Sequence, residues 1–151
     1  MVAYQLSVFA ENKPGRLAKV TGILKKGKIN IRAITISTSD EFGVINLIVD
    51  DPEGARSFLE DGGLTVGMKP VIAVVIEDKP GGLDKLIQLL VEENINIENA
   101  YGFVLESHEK AVFVVDVDQL EKAQKVTEAA GFETLDAQSL SDIEPFHYMK
   151  Y

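Results

Sequence analysis

Asn12, Lys13, Pro14, Gly15, Arg16 and Leu17 form a Pro-Gly turn between an apolar strand pattern and a helix pattern. So tight a turn leaves the backbone N–H groups of the helix start free and pointing outward. With the helix dipole they make a small anion site, suited to a carboxylate. Asn12 sets a donor and an acceptor beside it, and Asn30, at the head of the next strand pattern, offers the same pair. Donors for a carboxylate beside carbonyl-type acceptors for an ammonium are what a free amino acid requires. Ordinary turn and cap roles fit the same side chains and stand as the alternative.

Other chemistries find no support in the 151 residues. There are no cysteines, which excludes disulfides, thiolate metal sites and cysteine nucleophiles. His108 and His147 lack ligand-spaced partners, so neither a metal nor a cofactor is expected. No nucleophile elbow, P-loop or dinucleotide fingerprint is present, and no enzyme activity is expected. Asp50 and Asp51 read as a helix cap before Pro52 rather than as a catalytic pair. A net charge of −9 opposes attraction to nucleic acid or an anionic membrane. Arg16, Lys19, Lys25, Lys26 and Lys28 read as a solvated or partner-facing helix surface, because no aromatic residues are interleaved for base stacking. No apolar stretch reaches the roughly 18 residues of a membrane span, and the start lacks the pattern of a secretory signal. A cytoplasmic address is expected.

The elements that must position the turn appear twice. Glu11-Asn12-Lys13-Pro14-Gly15-Arg16-Leu17 returns as Glu77-Asp78-Lys79-Pro80-Gly81-Gly82-Leu83, and Ile29-Asn30-Ile31 returns as Ile95-Asn96-Ile97, both offset by 66 positions. In the first copy Tyr4, Leu6 and Val8 alternate with polar residues, as in a half-buried strand. Leu17, Val20 and Leu24 stripe a helix that Gly27 stops. Residues 29–38 and 44–49 read as strands, Asp51 and Pro52 open a second helix carrying Ala55, Phe58 and Leu59, and residues 64–68 make a fourth strand. The second copy repeats the order with strands at 71–76, 95–105, 111–117 and 132–137. Its helices carry Leu83, Leu86, Ile87 and Leu90, and then Leu120, Ala123 and Val126 behind an Asp118 cap.

The expected fold class is therefore α+β, with two tandem ferredoxin-like βαββαβ domains whose antiparallel sheets carry helices on one face. Domain 1 spans residues 1–69, domain 2 spans 70–140, and a tail follows at 141–151. Residues 71–76 and 111–115 are apolar on both faces, which suggests that a second surface covers the sheet. The tail holds Phe146, His147, Tyr148, Met149 and Tyr151 and is expected to fold back on the domains or on a second protomer. The halves differ in charge, with a net of +1 over residues 1–69 and −10 over 70–151.

The turn motif with its downstream Ile-Asn-Ile, in both copies, resembles the ACT domain, a small amino-acid-sensing module of metabolic enzymes. The resemblance implies an effector pocket at the interface between two such domains, built from the first turn and the start of the second strand. It assigns ligand contacts to Asn12, Pro14, Gly15, Arg16 and Leu17, with Asn30 and Ile31, and in the second copy to Asp78, Gly81, Gly82 and Leu83, with Asn96 and Ile97. Asp78 in place of Asn repels a carboxylate. Gly82 in place of Arg16 removes a cation and is expected to leave the backbone more open. The first turn is thus the expected better site. The implied function is that of a free-standing regulatory protein binding an amino acid, as a homodimer and in concert with an amino-acid metabolic enzyme. The alternative is an interaction subunit that regulates an enzyme by docking alone.

Overall fold

The computed structural model describes residues 1–142; the expectation for the aromatic tail lies outside them from residue 143 onward. The chain divides into two units, one of Tyr4–Lys69 and one of Met1–Ala3 with the chain from Pro70 onward.

In the first unit the alternation of Leu6 and Val8 with polar residues becomes β1 (Ala3–Glu11), antiparallel to β3 (Phe42–Val49) with Leu6 opposite Leu47 and Val8 opposite Ile45. β2 (Ile31–Ser39) pairs with the other edge of β3. α1 (Arg16–Lys26) and α2 (Pro52–Asp61) close one face, contributing Val20, Leu24, Ala55 and Leu59 to the core under Leu6, Val8, Ile45, Leu47 and Val49. Leu64, Val66 and Met68, leading into and along β4 (Thr65–Glu77), pack against the same core.

The second unit repeats the pattern. β4 from Ile72 onward pairs with β6 (Lys110–Val117), which pairs with β5 (Ile97–Glu106), and the short β7 (Thr134–Leu135) lies on the free edge of β4. α3 (Gly82–Glu92) and α4 (Leu120–Ala129) supply Leu86, Leu90 and Ala123 to a core with Ile72, Val74, Val115 and Val117. The βαββαβ order and the antiparallel sheets agree with the sequence reading.

Several boundaries differ, each for a local reason. Strands expected at 64–68 and 71–76 are one continuous strand, because Pro70 fixes a φ that suits extended chain and biases Lys69 the same way. The strand expected at 132–137 shrinks to Thr134–Leu135. Asp136 turns the chain there as the N-cap of α5 (Ala137–Ser141), its carboxylate accepting the Ser139 N–H at 2.8 Å. That backbone bond holds the Asp136 carboxyl below the usual range. Asp51 caps α2 as expected, accepting from the Gly54 N–H at 3.1 Å. Asp118 does not cap α4: Gln119 holds that position without a side-chain capping bond, its amide donating instead to the Asn94 carbonyl at 3.1 Å, and Asp118 is committed elsewhere. Leu17 and Leu83 fall outside the buried stripes, at 40% and 39% exposed, because each sits in the first turn of its helix.

The glycines divide by what surrounds them. A Cβ on Gly82 would overlap the Glu77 carbonyl oxygen, whereas one on Gly22, inside α1, meets nothing within 4 Å. Gly82→Ala is therefore expected to cost about 2 kcal/mol or more, because backbone must move. Gly22→Ala should stabilise by about 0.5–1 kcal/mol through helix propensity. Urea unfolding of both variants checks the pair.

Candidate functional site

The first turn is held from two sides. The Asn12 N–H donates to the Glu41 carbonyl at 2.7 Å, and Asn12 Nδ2 donates to the Asp40 carbonyl at 3.1 Å. Asp40 and Glu41 form the tip of the β2–β3 hairpin, so Asn12 ties the turn to that tip. Gly15 then takes a left-handed φ of 90° at the N-cap of α1, which a side chain would resist. Pro14 precedes this cap. Glycine brings no capping side chain, so the first turn of α1 has no side-chain cap bond. Its Arg16 N–H reaches the Lys13 carbonyl at 3.3 Å, which corrects the expectation that every N–H there is free.

Charge gathers around Glu11. Arg16 Nη2 lies 3.1 Å from one carboxylate oxygen and Lys13 Nζ 3.5 Å from the other. Arg16 Nε is closed off from solvent and has no hydrogen-bond partner among the described residues. A hollow of about 190 Å³ opens here, lined by Asn12, Arg16, Leu17, Ile36 and Ile45 among others. A second hollow, of about 580 Å³, shares Glu11, Arg16 and Thr38 with it and adds Lys19, Phe9 and Phe42. Every residue lining either hollow belongs to the first unit.

The second turn has the same frame and a different filling. The Asp78 N–H donates to the Glu109 carbonyl at 3.0 Å, and the Asp78 carboxylate accepts the His108 N–H at 2.8 Å. Asp78 thus anchors its hairpin tip by accepting, where Asn12 does so by donating. Gly81 repeats the left-handed cap at φ 89°. Lys79 Nζ lies 2.8 Å from Glu77 and, by hydrogen bond and charge, holds the Glu77 carboxyl below its usual range. Gly82 is buried against the Glu77 carbonyl. The expected openness is therefore corrected: losing the side chain lets helix and strand close together.

The strand-start residues are not brought to the turns of their own units. The Asn30 N–H donates to the Asp50 carboxylate at 3.0 Å and the Asn96 N–H to Asp118 at 3.1 Å, each at the start of its strand. Asn12 and Asp78 bond to hairpin tips at the far ends of β2 and β5. A nine-residue strand spans roughly 30 Å. Asn30 with Ile31, and Asn96 with Ile97, therefore lie a strand's length from the turn expected to share their ligand. Asp50, read as part of a cap, instead fixes the entry to β2.

Sequence reasoning missed Glu11, the pivot of the charge cluster, and Lys19, Phe9 and Phe42. The i, i+3 spacing of Arg16 and Lys19 on α1 is the signal that could have found the second cation.

The sequence profile described as an ACT domain pair matches residues 1–143. The crystal structure of protein BT0572 from Bacteroides thetaiotaomicron is 34% identical over 94% of this chain and 97% of that one, with a TM-score of 0.87. Two more distant structures share the fold. They are the ligand-free regulatory subunit of aspartate kinase from Thermus thermophilus (20% identity, 85% and 92% of the two chains, TM-score 0.62) and the corresponding subunit from Thermus flavus (17%, 86% and 94%, TM-score 0.53). No curated protein matches significantly.

If Asp78 serves to hold its hairpin tip, Asp78→Ala should speed hydrogen exchange at the His108 amide and cost about 1 kcal/mol of stability. Asp78→Asn keeps an acceptor and should retain most of the protection. Amide exchange followed by NMR distinguishes the two variants.

Proposed function

The chain belongs to the ACT domain pair family, and we propose that it is a regulatory protein whose first-repeat turn captures a free amino acid. The family is regulatory rather than catalytic. The observation that carries the reading is the 190 Å³ hollow beside an α-helix start with no side-chain cap. Its residues divide as an amino acid would need. Arg16 and the first-turn N–H groups of α1 face the carboxylate. Asn12 Nδ2 is committed to the hairpin tip, which leaves Oδ1, together with Glu11, for the ammonium. Leu17, Ile36 and Ile45 offer apolar surface to the side chain.

The second turn suits this ligand less. It has no arginine, its glycine is closed on Glu77, and Asp78 brings a negative charge. Asn30 and Ile31, and the equivalent Asn96 and Ile97, join such a site where another domain supplies the turn. A second copy of the chain and an amino-acid metabolic enzyme are the partners this reading calls for. The fold shared with the regulatory subunits of aspartate kinase from Thermus thermophilus and Thermus flavus supports the second of these.

One observation favours the rival reading of docking without a ligand: Asn12 and Asp78 both hold hairpin tips, a sufficient structural role. A thermal-shift screen of the twenty amino acids decides between them. A ligand at 100 times its Kd stabilises by about 2.7 kcal/mol, and Asn12→Ala should weaken its binding by about 1–3 kcal/mol. Absence of any shift at millimolar concentrations would leave the docking reading standing.

A further inference from the structure

The larger hollow differs from the smaller in ways that a small amino acid does not explain. At about 580 Å³ it is within the range of pockets that hold drug-sized ligands. It carries two cations, Arg16 and Lys19, against one carboxylate, Glu11, which already holds Arg16 and Lys13. Lys19 has no ion-pair partner among the described residues. Ser37, Thr38, Ser39 and Thr65 also line it, with Ser37 and Ser39 on one face of β2 and Thr38 on the other. Cations thus outnumber carboxylates, with hydroxyls that can donate beside them, which suits an anion able to take several hydrogen bonds at once. Phe9 and Phe42, 48% and 65% exposed, lie diagonally across the β1–β3 ladder. Such rings offer a stacking surface for a flat ring system.

The second repeat supplies an internal control. In matching register Ser37, Thr38 and Ser39 give way to Phe103, Val104 and Glu106. Thr65 becomes Glu133 and Arg16 becomes Gly82. Leu64 becomes Phe132, and Lys85, the counterpart of Lys19, lies over that ring at 5.9 Å. The hydroxyls are gone, two carboxylates have entered, and the equivalent lysine is engaged. The excess of cations over carboxylates is peculiar to the first repeat.

We propose that this hollow binds a ring-bearing phosphate monoester of the nucleoside monophosphate class. The phosphoryl group lies against Arg16, Lys19, Ser37 and Ser39, and the base against Phe9 and Phe42. This is a second ligand, and it does not depend on the amino-acid reading.

Calorimetric titration of the full chain with AMP, GMP, CMP and UMP, alongside inorganic phosphate and the parent nucleosides, tests it. At least one monophosphate should bind at least tenfold tighter than both inorganic phosphate and its own nucleoside. Thr65→Glu, which installs the second-repeat carboxylate, should weaken that binding at least tenfold. The uncharged isostere Thr65→Gln should stay within threefold of the parent. The thermal-shift screen reads the amino acid and this titration reads the monophosphate, so the two readings fail separately. The proposal falls if no monophosphate binds at millimolar concentration, if inorganic phosphate binds as tightly, or if Thr65→Glu and Thr65→Gln behave alike. It also falls if aromatic amino acids occupy the hollow while the monophosphates do not.

Discussion

The left-handed glycine at each helix start, Gly15 at φ 90° and Gly81 at φ 89°, is the constraint on which both turns depend. Only a residue without a Cβ enters this conformation at little cost. By entering it, the glycine reverses the chain from strand to helix within a few residues and leaves the helix without a capping side chain. The helix start therefore faces a space that neighbouring side chains must fill or leave open. The residue before the Lys-Pro-Gly run steadies the arrangement by bonding to the hairpin tip, through an amide at Asn12 and a carboxylate at Asp78. Reversing which partner donates preserves the tie.

Beneath the turns the two cores are nearly interchangeable. Leu6 and Ile72, Val8 and Val74, Val20 and Leu86, Leu24 and Leu90, Leu47 and Val115, and Ala55 and Ala123 take equivalent places. Burying an aliphatic side chain of this size contributes about 1.5–3 kcal/mol, so these positions resist polar exchange. Leu59 is the exception, replaced by Thr127. That hydroxyl is fully buried and donates to the Ala123 carbonyl at 2.8 Å, which removes most of the cost of burying it. Divergence between the repeats concentrates at the rim, where exchange costs little and ligand chemistry can change.

The repeat made the fold legible, because periodicity and punctuation in one copy support the same reading in the other. Strand ends were less legible. Whether Pro70 breaks a strand depends on its hydrogen-bond partners, and Asp136 becomes a cap only where the chain turns. The candidate site was half legible. Asn12, Arg16 and Leu17 line one hollow. Asn30 lies away from its own unit's turn because closeness in a motif is not closeness in space: α1 carries the chain back along the sheet before β2 begins. Asp50 and Asp118 were read as helix caps for a similar reason, since a carboxylate before a helix pattern looks the same whether it bonds forward or across to a strand start.

The difference between the turns is also hard to undo. An arginine at position 82 would restore the missing cation on paper. Its Cβ, however, would overlap the Glu77 carbonyl oxygen, a backbone atom that no rotamer change can move aside. Room for the side chain would require α3 to shift away from β4, and Leu86 and Leu90 on that helix are fully buried in the core. Moving them opens voids whose cost grows with their volume. At the first turn the helix already stands far enough from β1 for Arg16 to reach Glu11. The two repeats thus differ in backbone spacing as well as in side chains, and packing in the core holds that spacing in place. Ligand chemistry at the first turn and closure at the second are two settlements of one motif, separated by the distance between a helix and its strand.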